Sequence, residues 1–186
     1  MPGLLSEFGR TIRHIRPGLG ATATARVGLR TITLQSAAFD DHDAIPIRFT
    51  ADGAGHSPPL HWSNVPEGTE TLALLVEDVD APFPQPLVHL LLHAMSPMLT
   101  GLAEGVVPQR HAKNRAFKAG RNSFGRLGWL PPSPIPGHGP HRYVFQILAL
   151  SSPFAPRRIP GRGALRMALR RDLLGHGRLI GTYERQ

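Results

Sequence analysis

Three groups of residues in this chain could do chemistry. They are the acidic run Glu77-Asp78-Val79-Asp80-Ala81-Pro82, the pair His89 and His93, and the proline-rich stretch Pro131 to Tyr143 with His138 and His141. Carboxylates beside imidazoles can move protons, hold a cation or, with the imidazoles charged, receive an anion. Each group also has a plainer role. Asp-x-Asp-Ala-Pro can close a turn with side-chain hydrogen bonds, the histidines can be satisfied core residues, and the prolines can cap a sheet edge. A metal held by His89 and His93 is not expected, because on a strand they share one face but stand about 13 Å apart. No Gly-x-Ser-x-Gly elbow and no phosphate loop is present, and there is no Cys. Ser57, Ser123 and Ser133 lie in Gly/Pro-rich loops, which leaves open a hydrolase in which a histidine activates one of them.

The elements that must position these groups are mostly strands. Leu29–Leu34 alternates, Ile45–Phe49 reads as a strand with an early proline, and Thr71–Glu77 is the continuous apolar run of a central strand. Pro58-Pro59-Leu60-His61-Trp62 leads an edge-type strand, and Val88–Met95 and His141–Leu150 supply two more. A 3.6-residue period appears in two places: over 4–16, where Leu4, Leu5, Phe8, Ile12 and Ile15 form one stripe, and over Gly163–Gly175 near the C-terminus. Residues 18–28 read as a linker. The organisation expected is therefore residues 1–30 as amphipathic helix and linker, and 31–186 as one mainly β domain.

Of 186 residues 41% are hydrophobic, enough for one substantial core. The net charge of +8 is uneven, at +4, −9 and +13 over residues 1–31, 32–107 and 108–186. An arginine excess without a helix-turn-helix, RNA-recognition or zinc-finger signature gives only a general nucleic-acid-binding alternative, with no specific nucleic acid expected. No apolar run approaches the ~20 residues of a membrane helix, and the first twenty residues lack the pattern of a secretory signal, so the expectation is a cytoplasmic protein. The stripe on helix 4–16 is expected to pack on its own domain or in a homodimer, with peripheral contact to anionic lipid as the competing reading.

Read in order, Thr50-Ala51-Asp52-Gly53, Ser57-Pro58-Pro59-Leu60-His61-Trp62, Glu77–Pro82, His89, Asn122-Ser123-Phe124-Gly125 and Gly137-His138-Gly139-Pro140-His141-Arg142-Tyr143 resemble the phosphatidylethanolamine-binding protein family in its bacterial Raf-kinase-inhibitor-like branch. The resemblance covers about residues 32–186. It implies a two-sheet antiparallel Greek-key β-sandwich with a C-terminal helix and a small anion-binding cleft. Asp78, His89 and His141 match the family's cleft residues, Pro82, Pro132, Gly139 and Tyr143 fall on or beside its rim, and Asp80 and Arg142 match an internal ion pair. Both cleft imidazoles are expected to be charged donors to a phosphate or phospholipid head group, with no cofactor and no catalysis. A regulatory role, or a weak esterase-like hydrolase with His89 or His141 as base, is the further possibility. The chain departs from the family pattern at Val79, Leu90 and Pro131, where the family usually has Pro, Trp and Gly.

Overall fold

The computed structural model describes residues 2–12, 14, 29–112 and 114–186. Alternation of apolar side chains sorts these residues into layers. Strands β4 (Thr71–Asp78), β5 (Leu87–Met95), β8 (His141–Leu150) and β9 (Leu173–Tyr183) form the middle of a six-stranded sheet, flanked by β1 (Arg30–Thr31) and β7 (Lys118–Ala119) in the order β1-β9-β8-β4-β5-β7. β2 (Thr33–Gln35), β3 (Leu60–Ser63) and β6 (Gly101–Leu102) make a three-stranded sheet in the order β2-β3-β6. One face of the large sheet, with Leu72, Leu74, Val76, Phe145 and Ile147, packs on Leu34, Trp62 and Leu102 of the small sheet. The opposite face, with Ala73, Leu75, Leu148 and Leu150, packs on Leu165 and Leu169 of helix α2 (Arg162–Asp172). Every residue of β4 is buried because both its faces are covered, which is why its sequence is one apolar run.

The fold is mainly β, with two sheets and helices, and it differs from the sequence expectations in five places. The stretch read as one strand over Leu29–Leu34 serves both sheets: β1 runs parallel to β9, whereas β2 runs antiparallel to β3. The large sheet is therefore not purely antiparallel. Ile45–Phe49 is not a strand. Ala44 makes an isolated bridge to Thr182, and Ile47–Phe49 coils into a 3-10 turn in which Phe49 N donates to the Pro46 carbonyl. β3 is the centre of its small sheet rather than an edge, since Pro58 and Pro59 precede the paired residues. Helix α2 stops at Asp172, and Leu173 and Leu174 open β9, whose Gly175, Gly177 and Gly181 hide its alternation.

The fifth difference is at the N-terminus. Helix α1 spans Pro2–Thr11 rather than 4–16. The side chains of Leu4 and Ile15, and the linker 18–28, lie outside the described residues. Leu5 and Phe8 are 57% and 54% exposed, so this part of the stripe is not covered by the domain. The helix instead meets the rest of the protein backbone to backbone, through Ser6 and Gly9 against Pro136–His138.

Candidate functional site

Strands β4 and β8 end side by side, with Asp78 opposite Tyr143 and His141 opening β8. Parity along each strand puts Asp78 on the face of Leu74 and Val76, and His141 and Tyr143 on that of Phe145. Plain alternation along β5 would put His89 with Leu91 and His93 on the opposite, α2-facing side. The ladder prevents this: Val76 faces Leu90 and Glu77 faces Val88, so His89 is an extra residue, a β-bulge. The bulge turns the His89 ring toward Trp129 and sets it edge-on to Tyr143 at 5.0 Å, while His93 stays edge-on to Phe154 on the α2 side. The reading that His89 and His93 share a face is thus corrected.

Asp78, His89 and His141 border one cleft of about 310 Å³, together with Ala81, Pro82, Phe83, Leu87, Phe124 and parts of the loop 130–135. Pro132, Gly139 and Tyr143 do not border it. Pro132 is buried and its carbonyl accepts from Ala51 N at 2.9 Å. Tyr143 lies beneath His89, and Gly139, at φ 89°, turns the loop that returns to β8. Past Phe83, Leu87 and Phe124 the cleft adjoins a larger, mostly apolar groove of about 510 Å³, lined also by Pro84, Pro86, Arg121 and Arg162.

The polar groups at the site are closely bonded. Asp78 Oδ1 accepts from the backbone N–H groups of Asp80 (2.9 Å) and Ala81 (3.0 Å), and its Oδ2 accepts from His141 Nδ1 at 2.7 Å. His141 Nε2 meets His138 Nδ1 at 2.7 Å, so both ring nitrogens of His141 are occupied within the protein. His89 donates Nδ1–H to the Leu130 carbonyl at 2.6 Å, which leaves Nε2 buried and unbonded among the described residues. Behind the cleft, Arg142 donates from Nε (2.7 Å), Nη2 (2.8 Å) and its backbone N (2.9 Å) to the Asp80 carboxylate. Sequence reasoning gave His138 no role. Its spacing of three from His141 across Gly139-Pro140 was the available signal.

Burial pushes the His89 imidazole below its usual value, and the nearby Asp78 charge and the Leu130 carbonyl only partly offset this. His89 is therefore neutral near pH 7, protonated on Nδ1 and offering a lone pair at Nε2. The expectation of two charged donors is corrected on this point: desolvation outweighs the single carboxylate. Beside the cleft, the Arg185 guanidinium holds both Asp52 oxygens (2.5 and 2.6 Å), lowering that carboxyl, and donates from Nη1 to Ser133 Oγ at 2.7 Å. Of the three loop serines only Ser133 borders the cleft. Ser57 and Ser123 spend their Oγ atoms accepting from Val107 N and Val88 N. Among the described residues, no three His, Cys, Asp or Glu are grouped to hold a metal, and no helix is long and apolar enough to cross a membrane.

The profile of the family described as Phosphatidylethanolamine-binding protein matches residues 35–184. The chain belongs to the phosphatidylethanolamine-binding protein family. A UPF0098 protein of Methanothermobacter thermautotrophicus is 34% identical over 154 residues, covering 83% of this chain and 99% of the relative. Among solved structures, the phosphatidylethanolamine-binding protein homologue CT736 of Chlamydia trachomatis is 30% identical, covers 84% of this chain and 99% of its own, and superposes with a TM-score of 0.74. YbcL of E. coli shares the fold at a TM-score of 0.77 and 24% identity, over 84% of this chain and all of its own. The likeness to CT736 places the chain with the bacterial branch of the family. Helix α1 lies outside the family match.

Proposed function

We propose that the cleft is a non-catalytic binding site for a phosphate group, carried by a small monoester or by a phospholipid head group. The observation that carries this reading is the buried, unbonded Nε2 of His89 in a cleft whose other imidazole and carboxylate are already paired. A neutral Nε2 accepts the acidic hydroxyl of a phosphate monoanion, or takes its proton and becomes a charged donor to the dianion. Either way the phosphate arrives with one proton shared at His89. The Asp78 charge is spent on three donors, which weakens its repulsion of the ligand, and the Arg185 cation stands beside the cleft. Family membership supports a small ligand in this cleft, and the adjoining apolar groove suits the acyl chain of a lipid.

Titration calorimetry with inorganic phosphate, phosphoethanolamine and a short-chain phospholipid tests this. The expected result is saturable binding that His89→Ala abolishes, with the lipid bound more tightly than phosphoethanolamine if the groove takes part. Binding of none of the three, or binding indifferent to His89→Ala, overturns the proposal.

A second reading has its own observation. A neutral imidazole oriented by Nδ1–H to a carbonyl, with Nε2 free and a serine on the same cleft wall, has the parts of a general base and nucleophile. Turnover of a p-nitrophenyl ester panel that is lost in both His89→Gln and Ser133→Ala would favour this esterase-like activity over simple binding.

A further inference from the structure

Helix α1 touches the loop that leads into the cleft's second histidine, His141. A Cβ on Gly9 would stand 2.1 Å from the Pro136 carbonyl oxygen and 2.8 Å from His138 N. A Cβ on Gly137, at φ 77°, would stand 2.3 Å from the Ser6 carbonyl oxygen. The two backbones meet only because both residues lack side chains. Within this contact the Ile12 carbonyl lies 3.0 Å from Nε2 of His138, a residue with no exposed surface. Leu5 and Phe8 are more than half exposed, so these two apolar side chains contribute little to holding the helix there.

Three hydrogen bonds therefore run in line, from the Asp78 carboxylate through His141 and His138 to the Ile12 carbonyl. Both ends of this chain can only accept. His141 must donate through Nδ1 and His138 through Nε2, and the bond between the rings needs one proton more. Two neutral imidazoles carry two protons between them; the chain of bonds needs three. Without the third, His138 Nδ1 and His141 Nε2 face each other as lone pairs at 2.7 Å. The His141–Asp78 bond is anchored by charge, so the relief is for His138 to donate from Nδ1, which sets a lone pair at Nε2 against the Ile12 carbonyl.

We propose that the N-terminal segment is a proton-dependent latch on the cleft loop: one proton shared by His138 and His141 holds Ile12 to His138, and its loss releases residues 2–12. This goes beyond the phosphate-binding reading and does not depend on it. The other ionisable groups nearby do not supply the switch. His89 on β5 is already neutral, and Glu7 and Arg10 on α1, with His14 beyond it, are exposed. Arg185, whose carbonyl accepts from Gly137 N at 3.2 Å, is paired with Asp52.

The absence of cysteine from the chain allows a single spin label at Arg10→Cys, an exposed position on α1. Label mobility in the full chain is read between about pH 5 and about pH 8, the range in which imidazoles titrate. The expected result is an immobile label at low pH and a mobile one at high pH. The released-to-docked ratio should rise by up to about tenfold per pH unit, the slope of one proton. In His138→Gln, which keeps a donor that does not titrate, the transition should disappear. In Gly9→Val, which leaves every cleft side chain in place, the label should be mobile at all pH values. A transition that persists in His138→Gln, a parent label insensitive to pH, or a Gly9→Val label as immobile as the parent's each overturns the latch.

Discussion

His89 occupies the cleft because β5 carries one residue more than β4 needs at that point. Its protonation is then decided by burial, and this fixes the sign of a binding prediction. Because the free imidazole is held below its usual value of 6.5, phosphate should bind more tightly as pH falls into the mildly acidic range and more weakly as pH rises. Calorimetric titration of inorganic phosphate between about pH 5 and about pH 8 checks this, and a flat profile would assign the anion to backbone donors instead. In His89→Gln the pH dependence should largely vanish even where some affinity survives.

At the scale of elements, two ion pairs hold the strands that carry the site. The Asp80–Arg142 pair ties the turn after β4 to the start of β8, and it is asymmetric: the Asp80 side chain is fully buried whereas that of Arg142 is 34% exposed. Removing the arginine side chain takes both charged donors from a buried carboxylate, while removing the acid leaves a guanidinium that can turn to water. Arg142→Met should therefore cost about 3 kcal/mol and Asp80→Asn about 1–2 kcal/mol, read from urea unfolding. The same logic applies where Glu77 of β4 is held by Arg162 of α2 and by Gln146 Nε2 at 2.9 Å. Arg162→Met should lose about 2–4 kcal/mol, and the double variant Arg162→Met/Glu77→Leu should regain most of it, because the fault is an unpaired buried charge rather than a missing contact.

For the molecule as a whole, three histidines titrate in the same direction. Burial is the first cause that lowers His89, His93 and His176 alike. Each takes up its proton more readily in the unfolded chain, so their stabilising contribution is complete above the ordinary imidazole value of 6.5 and is lost as pH falls through and below it. Thermal unfolding followed from about pH 8 down to about pH 5 should show a falling Tm. The fall should be smaller in His93→Phe, which keeps the edge-on contact with Phe154 without a titrating group.

The sequence by itself determined the features that reside in local pattern. The continuous apolar run of β4 and the span His141–Leu150 of β8 follow from burial on both faces, and the ordered motifs from Thr50 to Tyr143 lead to the family. Asp78, Pro82, His89 and His141 are legible as a set only through those motifs. What pairing partners impose was not legible. A bulge is defined by the opposite strand, so the inversion of His89 relative to His93 has no signature within β5 itself. Leu173 and Leu174 fit a helical stripe until β8 and β1 claim them and the glycines after them for β9. Ile45–Phe49 has strand composition, yet local bonds from Phe49 and Thr50 to the carbonyls of Pro46 and Ile47 coil it. The contact of Ile12 with His138 joins positions 126 residues apart and consists of a carbonyl, a ring nitrogen and two glycines. Only the tertiary structure could decide it, because backbone-to-backbone contact needs the absence of side chains and leaves no apolar pattern to read.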